Sequence, residues 1–216
     1  MITLIKTITR VERAKKNSSR YHIYLNEEYS FSIHEDLLIK HHLFKGKQLD
    51  EAEMKSIVYE DEAHRAYLHG LQLIGRRPHA VQELVTKLVD RGYGKHTVDA
   101  AVIRLKELGY LDDLVFAKLW TEHRLIRQHK GKQWVKQELM QKGVSSKHIE
   151  EAMGQFAEED EFDGAMQLGV KKWRQVKGDH LEKKRKTSAY LWRRGYSPAI
   201  VQKVVRELME AERSED

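Results

Sequence analysis

The sequence predicts a mainly α fold: three tandem three-helix repeats forming an elongated curved array, with a small N-terminal β-hairpin-containing segment. Three observations predict it. Residues 1–60 alternate with a period of two. From residue 61 onward the apolar residues recur with helical spacing. That helical part also repeats itself about every 50 residues.

In the first segment, Ile2, Leu4, Ile5, Ile8 and Val11 make a strand-like start. The polar run Lys15-Lys16-Asn17-Ser18-Ser19 then reads as a turn. Tyr21, Ile23 and Leu25 alternate with polar or aromatic neighbours. Beyond Asn26-Glu27-Glu28, the residues Tyr29, Phe31 and Ile33 alternate with serines. Two alternating runs across a short polar turn predict a β-hairpin. Two or three such strands are marginal alone, so they are expected to pack on short helices over 35–43 and 50–60.

The repeat is anchored on Gly92, Gly143 and Gly195, separated by 51 and 52 residues. Leucine stands four positions before each (Leu88, Leu139, Leu191). A base stands immediately before (Arg91, Lys142, Arg194) and an apolar residue immediately after (Tyr93, Val144, Tyr196). Glycine adopts the left-handed conformation that ends a helix without a Cβ penalty, and the apolar residue can fold back as in a Schellman motif. Gly94, Ser145 and Ser197 follow as N-caps. Pro78 and Pro198 stand where they could open a helix.

Each glycine precedes an i, i+3, i+4, i+7 set that lines one helix face. The sets are Val98, Ala101, Val102, Leu105; Ile149, Ala152, Met153, Phe156; and Val201, Val204, Val205, Leu208. A longer helix precedes each pair. Its marks are Ala63, Ala66, Tyr67, Leu71 and Ile74; then Phe116, Leu119 and Trp120, capped by Asp112 or Asp113; then Phe162, Ala165, Met166, Val170 and Trp173. The expected division is 1–60, 61–109, 110–157 and 158–216. Narrow apolar stripes of this kind suit repeats that share cores.

Composition narrows the function classes. The chain has 216 residues, 40% apolar and 33% charged, with a formal net charge of +6 and no cysteine. Disulfides and Cys-based zinc sites are excluded. Without a signal peptide or an apolar run long enough to span a bilayer, a cytoplasmic protein with no membrane association is expected. No phosphate-binding glycine loop and no H-E-x-x-H motif is present, and the twelve histidines are scattered. The reading is therefore a non-enzyme with no cofactor and no metal site. Asp112-Asp113 suit helix capping better than catalysis. His123 is expected to be half-buried packing, and Trp173 and Tyr190 core.

Charge is unevenly distributed. Residues 171–194 hold ten bases against Asp179 and Glu182. The bases are Lys171, Lys172, Arg174, Lys177, Lys183, Lys184, Arg185, Lys186, Arg193 and Arg194. Five acids crowd residues 158–163 instead. A second basic stretch is Arg124, Arg127, Lys130, Lys132 and Lys136, of which Arg124, Arg127 and Lys130 would share a helical face. Cations grouped in this way suit phosphate contact through counterion release. Periodicity alone leaves two other readings open: a helix-turn-helix-like, sequence-specific DNA binder and a nucleic-acid-independent helical scaffold. Against groove reading stand Asp99, Glu150 and Glu151 on the second helices of the pairs.

Gly109-Tyr110-Leu111-Asp112-Asp113, with Phe116-Ala117, Trp120 and Arg124, resembles the signature of the RecX family. The likeness continues through Gly131, Glu138-Leu139 and Lys142-Gly143-Val144. It also takes in Arg77-Pro78, Glu83-Leu84, Leu88 and Gly92, then Tyr190-Leu191 and Arg194-Gly195-Tyr196, and Leu43-Phe44-Lys45-Gly46 near the start. Where the family commonly has Arg-Ser after Arg-Pro, this chain has His79 and Ala80, losing a base and a capping hydroxyl. The resemblance implies a monomeric regulator that lies in the groove of the RecA filament. Such a protein hinders filament growth, ATP hydrolysis and strand exchange in DNA recombination and repair. Its expected RecA- and DNA-binding residues are Arg124, Arg127, Lys130, Lys132, Lys142, Lys171, Lys172, Lys183, Lys184, Arg185, Lys186, Arg193 and Arg194.

Overall fold

The computed structural model describes residues 5–15 and 18–215, so the expectations for Ile2, Leu4 and Lys16-Asn17 lie outside the described residues. The chain divides into two compact units. One reaches to Arg76 and takes in Val85–Tyr110; the other comprises Arg77–Leu84 and continues from Leu111.

The first unit carries an antiparallel sheet of β1 (Lys6–Arg13), β2 (Arg20–Leu25), β3 (Glu28–His34) and the two-residue β4 (Gln48–Leu49). The strand order is β3-β2-β1-β4. The expected hairpin is β2–β3. Its two-residue turn places both Asn26 and Glu27 at positive φ, 49° and 72°, the twist that two-residue hairpin loops need. Two contacts hold the strained pair: Thr9 Oγ1 accepts from the Glu27 amide at 2.9 Å, and Asn26 Oδ1 accepts from the Thr7 amide at 3.1 Å. Ile8, Ile23, Leu25 and Ile33 turn inward onto Leu37, Leu38, Leu43, Leu49 and Ile57.

Tyr29 departs from the expected alternation. The pairing passes from Ile23–Phe31 to Tyr24–Tyr29, so Ser30 is the extra residue of a bulge. The bulge turns Tyr29 to the outer face, 58% exposed and edge-on to His22 and Tyr24.

The helix expected over 35–43 is α1 (Glu35–Lys40), stopped by His42 at φ 50°. The helices expected on either side of residue 60 are one, α2 (Glu51–Ile74), capped by the Asp50 carboxylate on the Glu53 amide. Residue 60 therefore falls inside a helix, whereas residues 110 and 158 follow turns. After α2 come α3 (Val81–Asp90) and α4 (Lys95–Glu107), then α5 (Asp113–Glu122) with a π-helical turn at His123–Arg127. These are followed by α6 (Lys132–Gln141), α7 (Ser146–Met153), α8 (Glu158–Gln175), α9 (His180–Arg193) and α10 (Pro198–Glu215). Pro198 opens α10 as expected; Pro78 lies in the turn before α3 rather than at a helix start.

Gly92, Gly143 and Gly195 have φ of 92°, 80° and 86°. Around them the amides of Tyr93, Val144 and Tyr196 bond the carbonyls of Leu88, Leu139 and Leu191, and each glycine amide bonds Val89, Met140 or Trp192. Both bonds of the Schellman motif are thus made three times. Gly109 (φ 73°) ends α4 identically, with Tyr110 bonding Leu105. The apolar sets beyond the glycines are buried, or half-buried at Met153 and Phe156. Leu119, expected to mark the core, is instead 48% exposed.

In the second unit, successive repeats are joined by a recurring device. The first amide of α3, on Val81, donates to Asp113 Oδ1 at 2.8 Å. At the same position one repeat later, the first amide of α6, on Lys132, donates to Glu161 Oε1 at 2.9 Å. Each acid comes from the first helix of the next repeat. Asp112 caps its own helix through the Leu114 and Val115 amides. Asp113 thereby supplies the acceptor that Ala80 lacks, and Ala80 is free to be fully buried beside Phe116 and Leu139.

Glycines complete the joints. A Cβ at Gly143 would overlap the Gln82 side chain, and one at Gly195 would overlap Trp134. A Cβ at Gly131 would overlap the carbonyl of Gly195, because the Gly131 amide donates to Arg194 O at 2.9 Å. Tyr196 Oη donates to His129 O at 2.8 Å across the same joint.

Two acids at these joints respond oppositely to pH. Burial raises the Glu161 pKa, against the lowering effect of the Lys132 amide bond. The folded state then holds the proton more tightly than the unfolded state. The Glu161 contribution to stability falls as pH rises from the ordinary carboxylate range through the raised value. Glu161→Gln keeps an acceptor, so its stability relative to wild type is expected to improve with rising pH, whereas Glu161→Ala loses the cap and about 1 kcal/mol. Denaturant unfolding at several pH values checks both; an Ala variant as stable as wild type contradicts the joint.

Burial also pushes Glu83 upward, but the Arg77 hydrogen bond and the charges of Lys142, Arg77 and His79 outweigh it and bring the pKa to about 2. Its contribution is present above about 4.5 and lost as pH falls toward about 2. Glu83→Gln is therefore expected to destabilise at neutral pH and to converge on wild type in strong acid.

A candidate nucleic-acid and filament interface

The expected binding cations all lie in the second unit, but they are not equally available. Arg124 is half-buried and committed internally. Its Nε and one terminal nitrogen donate to Glu138 at 2.9 and 2.7 Å, and the other donates to Gln128 at 2.6 Å. Glu138 also accepts from Trp120 Nε1 at 2.9 Å. A paired, bidentate arginine of this kind organises local structure. Lys132 donates to Phe156 O at 2.7 Å, satisfying a carbonyl beyond the end of α7. Lys183 pairs with Glu212, which also takes Trp173 Nε1 and His180 Nδ1 at 3.1 and 2.9 Å. Lys186 pairs with Glu182 at 2.8 Å, and Lys142 lies 3.5 Å from Glu83.

The helical face expected to hold Arg124, Arg127 and Lys130 does not form. The π-helical turn ends at Arg127, His129 takes a left-handed conformation (φ 48°), and a new helix starts at Lys132. Arg127 is left exposed, Arg124 turns inward, and Lys130 folds over Trp134. His123, expected to be half-buried, is exposed.

Instead, cations and aromatic rings alternate in a ladder. Lys142 Nζ is 4.6 Å from the Trp120 centroid, and the Arg124 guanidinium is 4.4 Å from Trp120 and 5.5 Å from Trp134. Lys130 Nζ is 4.0 Å from Trp134. In the next repeat, the Arg194 guanidinium and Lys172 Nζ lie 5.5 and 5.8 Å from Tyr190, whose hydroxyl accepts from Arg194 at 3.1 Å. The Lys130 pKa is lowered by burial first, then by the charges of Arg194 and Arg124. Lys130 thus feels the like charge of both stretches, which repels it. Trp120, Trp134 and Glu138 were not among the expected site residues. The signal for them was available as aromatic and cation four residues apart, in Trp120/Arg124, Lys130/Trp134 and Tyr190/Arg194.

Beyond Tyr190, Lys172 of α8 and Arg185, Lys186 and Arg193 of α9 line a concavity of about 250 Å³ floored by Ala189. Arg185, Ala189 and Arg193 are spaced four apart on one helix face. No acid lines the depression, and Arg185 and Arg193 make no side-chain hydrogen bond or ion pair to the described residues. Lys184 lies away from it, over a groove floored by Val205 and Met209. Lys171 is exposed on α8. Trp173 is buried, as expected; Tyr190, also expected to be core, is half-buried against the core, and Trp192 is 58% exposed. No helix among the described residues is long and apolar enough to cross a membrane.

Proteins similar to this chain in sequence and in fold share this organisation. Four family models match in order: the regulatory protein RecX N-terminal domain over residues 6–50, and the first, second and third RecX three-helix domains over 66–105, 112–153 and 158–205. The regulatory protein RecX of Halalkalibacterium halodurans is 34% identical over 200 residues, 90% of this chain and 75% of that protein. That of Clostridium tetani is 29% identical and covers 95% of both chains. A crystal structure of regulatory protein RecX superposes with a TM-score of 0.76 at 26% identity, over 92% of this chain and 98% of the other. With the N-terminal domain and the three three-helix domains matched in order, the chain belongs to the RecX family of regulatory proteins.

Proposed function

We propose that this chain binds RecA and its DNA filament and restrains recombinase activity, filament growth and ATP turnover by binding alone. Family membership supports the partner. The observation that carries the surface is the acid-free concavity of Lys172, Arg185, Lys186 and Arg193. Of its cations only Lys186 is paired, with Glu182 at 2.8 Å, so desolvating the group against a phosphate backbone breaks one internal pair. Lys130, Arg194 and Lys172, held against aromatic rings, continue that surface toward the second repeat. Arg127, Lys171 and Lys184 add exposed charge. Arg124, Lys132, Lys142 and Lys183 act indirectly, by fixing the helices that present the others. The protein works as a cytoplasmic monomer without a catalytic step, its segments 1–60, 61–109, 110–157 and 158–216 serving as its binding modules.

Two variants separate these roles. Arg185→Glu with Arg193→Glu is expected to keep the fold and to weaken inhibition of RecA-driven strand exchange about tenfold. It should also reduce the salt dependence of DNA binding by about one phosphate contact per arginine. Lys183→Glu is expected to lower thermal stability by breaking the Glu212 contact while leaving the salt slope nearly unchanged. A wild-type protein that leaves equimolar RecA filaments unaffected overturns the reading, as does a double variant as potent as wild type.

A further inference from the structure

The first unit holds a cluster that plays no part in the basic surface. β3 ends at His34, which caps α1; Asp36 lies in the first turn of α1; and His64 projects from α2. His34 Nδ1 is 3.5 Å from Asp36 Oδ2, and His64 Nε2 is 3.4 Å from the same oxygen. The three ligand atoms all lie within 4.8 Å of one another.

We propose that His34, Asp36 and His64 form a binding site for a divalent transition cation of the Zn2+ class. Tetrahedral zinc with bonds of about 2.0–2.1 Å sets its ligand atoms about 3.3 Å apart, close to the two short separations seen here. A second observation is independent of spacing. The His64 side chain is 3% exposed, and its Nε2 is buried with no hydrogen-bond partner, a costly state for a polar nitrogen. That nitrogen faces the Asp36 carboxylate. Two imidazoles and one carboxylate select zinc-like cations over Mg2+ or Ca2+, which take oxygen donors. Asp36 is 64% exposed, so the ion can enter from solvent and keep water in the remaining position.

The supporting shell is rigid on one side. Buried Asp61 accepts the His34 amide at 2.8 Å and is itself held by Arg20 at 2.7 and 3.3 Å, which fixes the His34 backbone. The ion would replace the 3.3 Å bond in which His34 Nδ1 accepts the Asp36 amide. On the other side, an Arg104 terminal nitrogen lies 3.1 Å from His64 Nδ1. A metal-bound His64 carries its proton on Nδ1 and so opposes the Arg104 donor. Arg104 is exposed and stacked on Tyr67 at 4.1 Å, free to swing away at a cost in affinity.

The test is calorimetric titration of the full chain with ZnCl2, and separately with MgCl2, alongside thermal unfolding. Wild type is expected to bind one Zn2+ per chain and to rise in Tm with Zn2+ but not Mg2+. Asp36→Asn, an exposed substitution that spares the core, is expected to weaken binding by at least about tenfold, as is His34→Gln. Arg104→Gln is expected to tighten it by about tenfold. No saturable one-to-one binding at about 100 μM Zn2+, or binding untouched by Asp36→Asn and His34→Gln, overturns the proposal. The latter result would place the ion on other histidines.

Discussion

The carboxylate-to-amide cap between successive repeats is the constraint on which the second unit rests. A helix start leaves amides unsatisfied and carries partial positive charge, so an acid there is favoured twice over. Here the acid is supplied by the next repeat: Asp113 to Val81 and Glu161 to Lys132. The capped helix ends at a left-handed glycine, and at both joints described a glycine leaves room that a Cβ would fill, for the Gln82 side chain at Gly143 and for the Gly195 backbone at Gly131. Within the second unit, the Glu161 cap and the close approach at Gly131 together fix the third repeat on the second.

The cationic surface is smaller than the charge count of its segments. Many bases there are already engaged: Arg124 by Glu138, Lys183 by Glu212, Lys132 by a carbonyl. What distinguishes the remaining cations is company. Lys130, Arg194 and Lys172 stand on aromatic rings, and Arg185 and Arg193 border a depression without acids. A cation over a ring keeps its charge and loses some freedom, which favours meeting a rigid polyanion over remaining solvated. Of the acids of residues 158–163, Glu161 is buried at the joint and Asp160 caps α8 through the Ala157 amide.

The repeat was legible because it rests on local rules. A left-handed glycine, an apolar residue behind it and an i, i+3, i+4, i+7 stripe can be read within twenty residues, and all three copies are present. What was not legible depends on distant partners or on a single local break. The acid caps span 32 and 29 residues. One extra residue, Ser30, reversed Tyr29, and one left-handed residue, His129, dissolved the expected Arg124–Arg127–Lys130 face. His34, Asp36 and His64 have no diagnostic spacing; β3 and α2 bring them together only after folding.

The central claim is that repeat docking, rather than charge alone, creates the interface. Gly131→Ala tests it most directly. Gly131 has an ordinary φ of −72°, so alanine brings no backbone strain; the nearest atoms its Cβ meets are the Gly195 and Tyr196 backbone of the neighbouring repeat. The measurement is inhibition of RecA strand exchange by Gly131→Ala beside wild type, with helicity checked on the same samples. The account predicts retained helicity and a marked loss of inhibition although every cation remains. Full potency in a stably folded Gly131→Ala protein would contradict it.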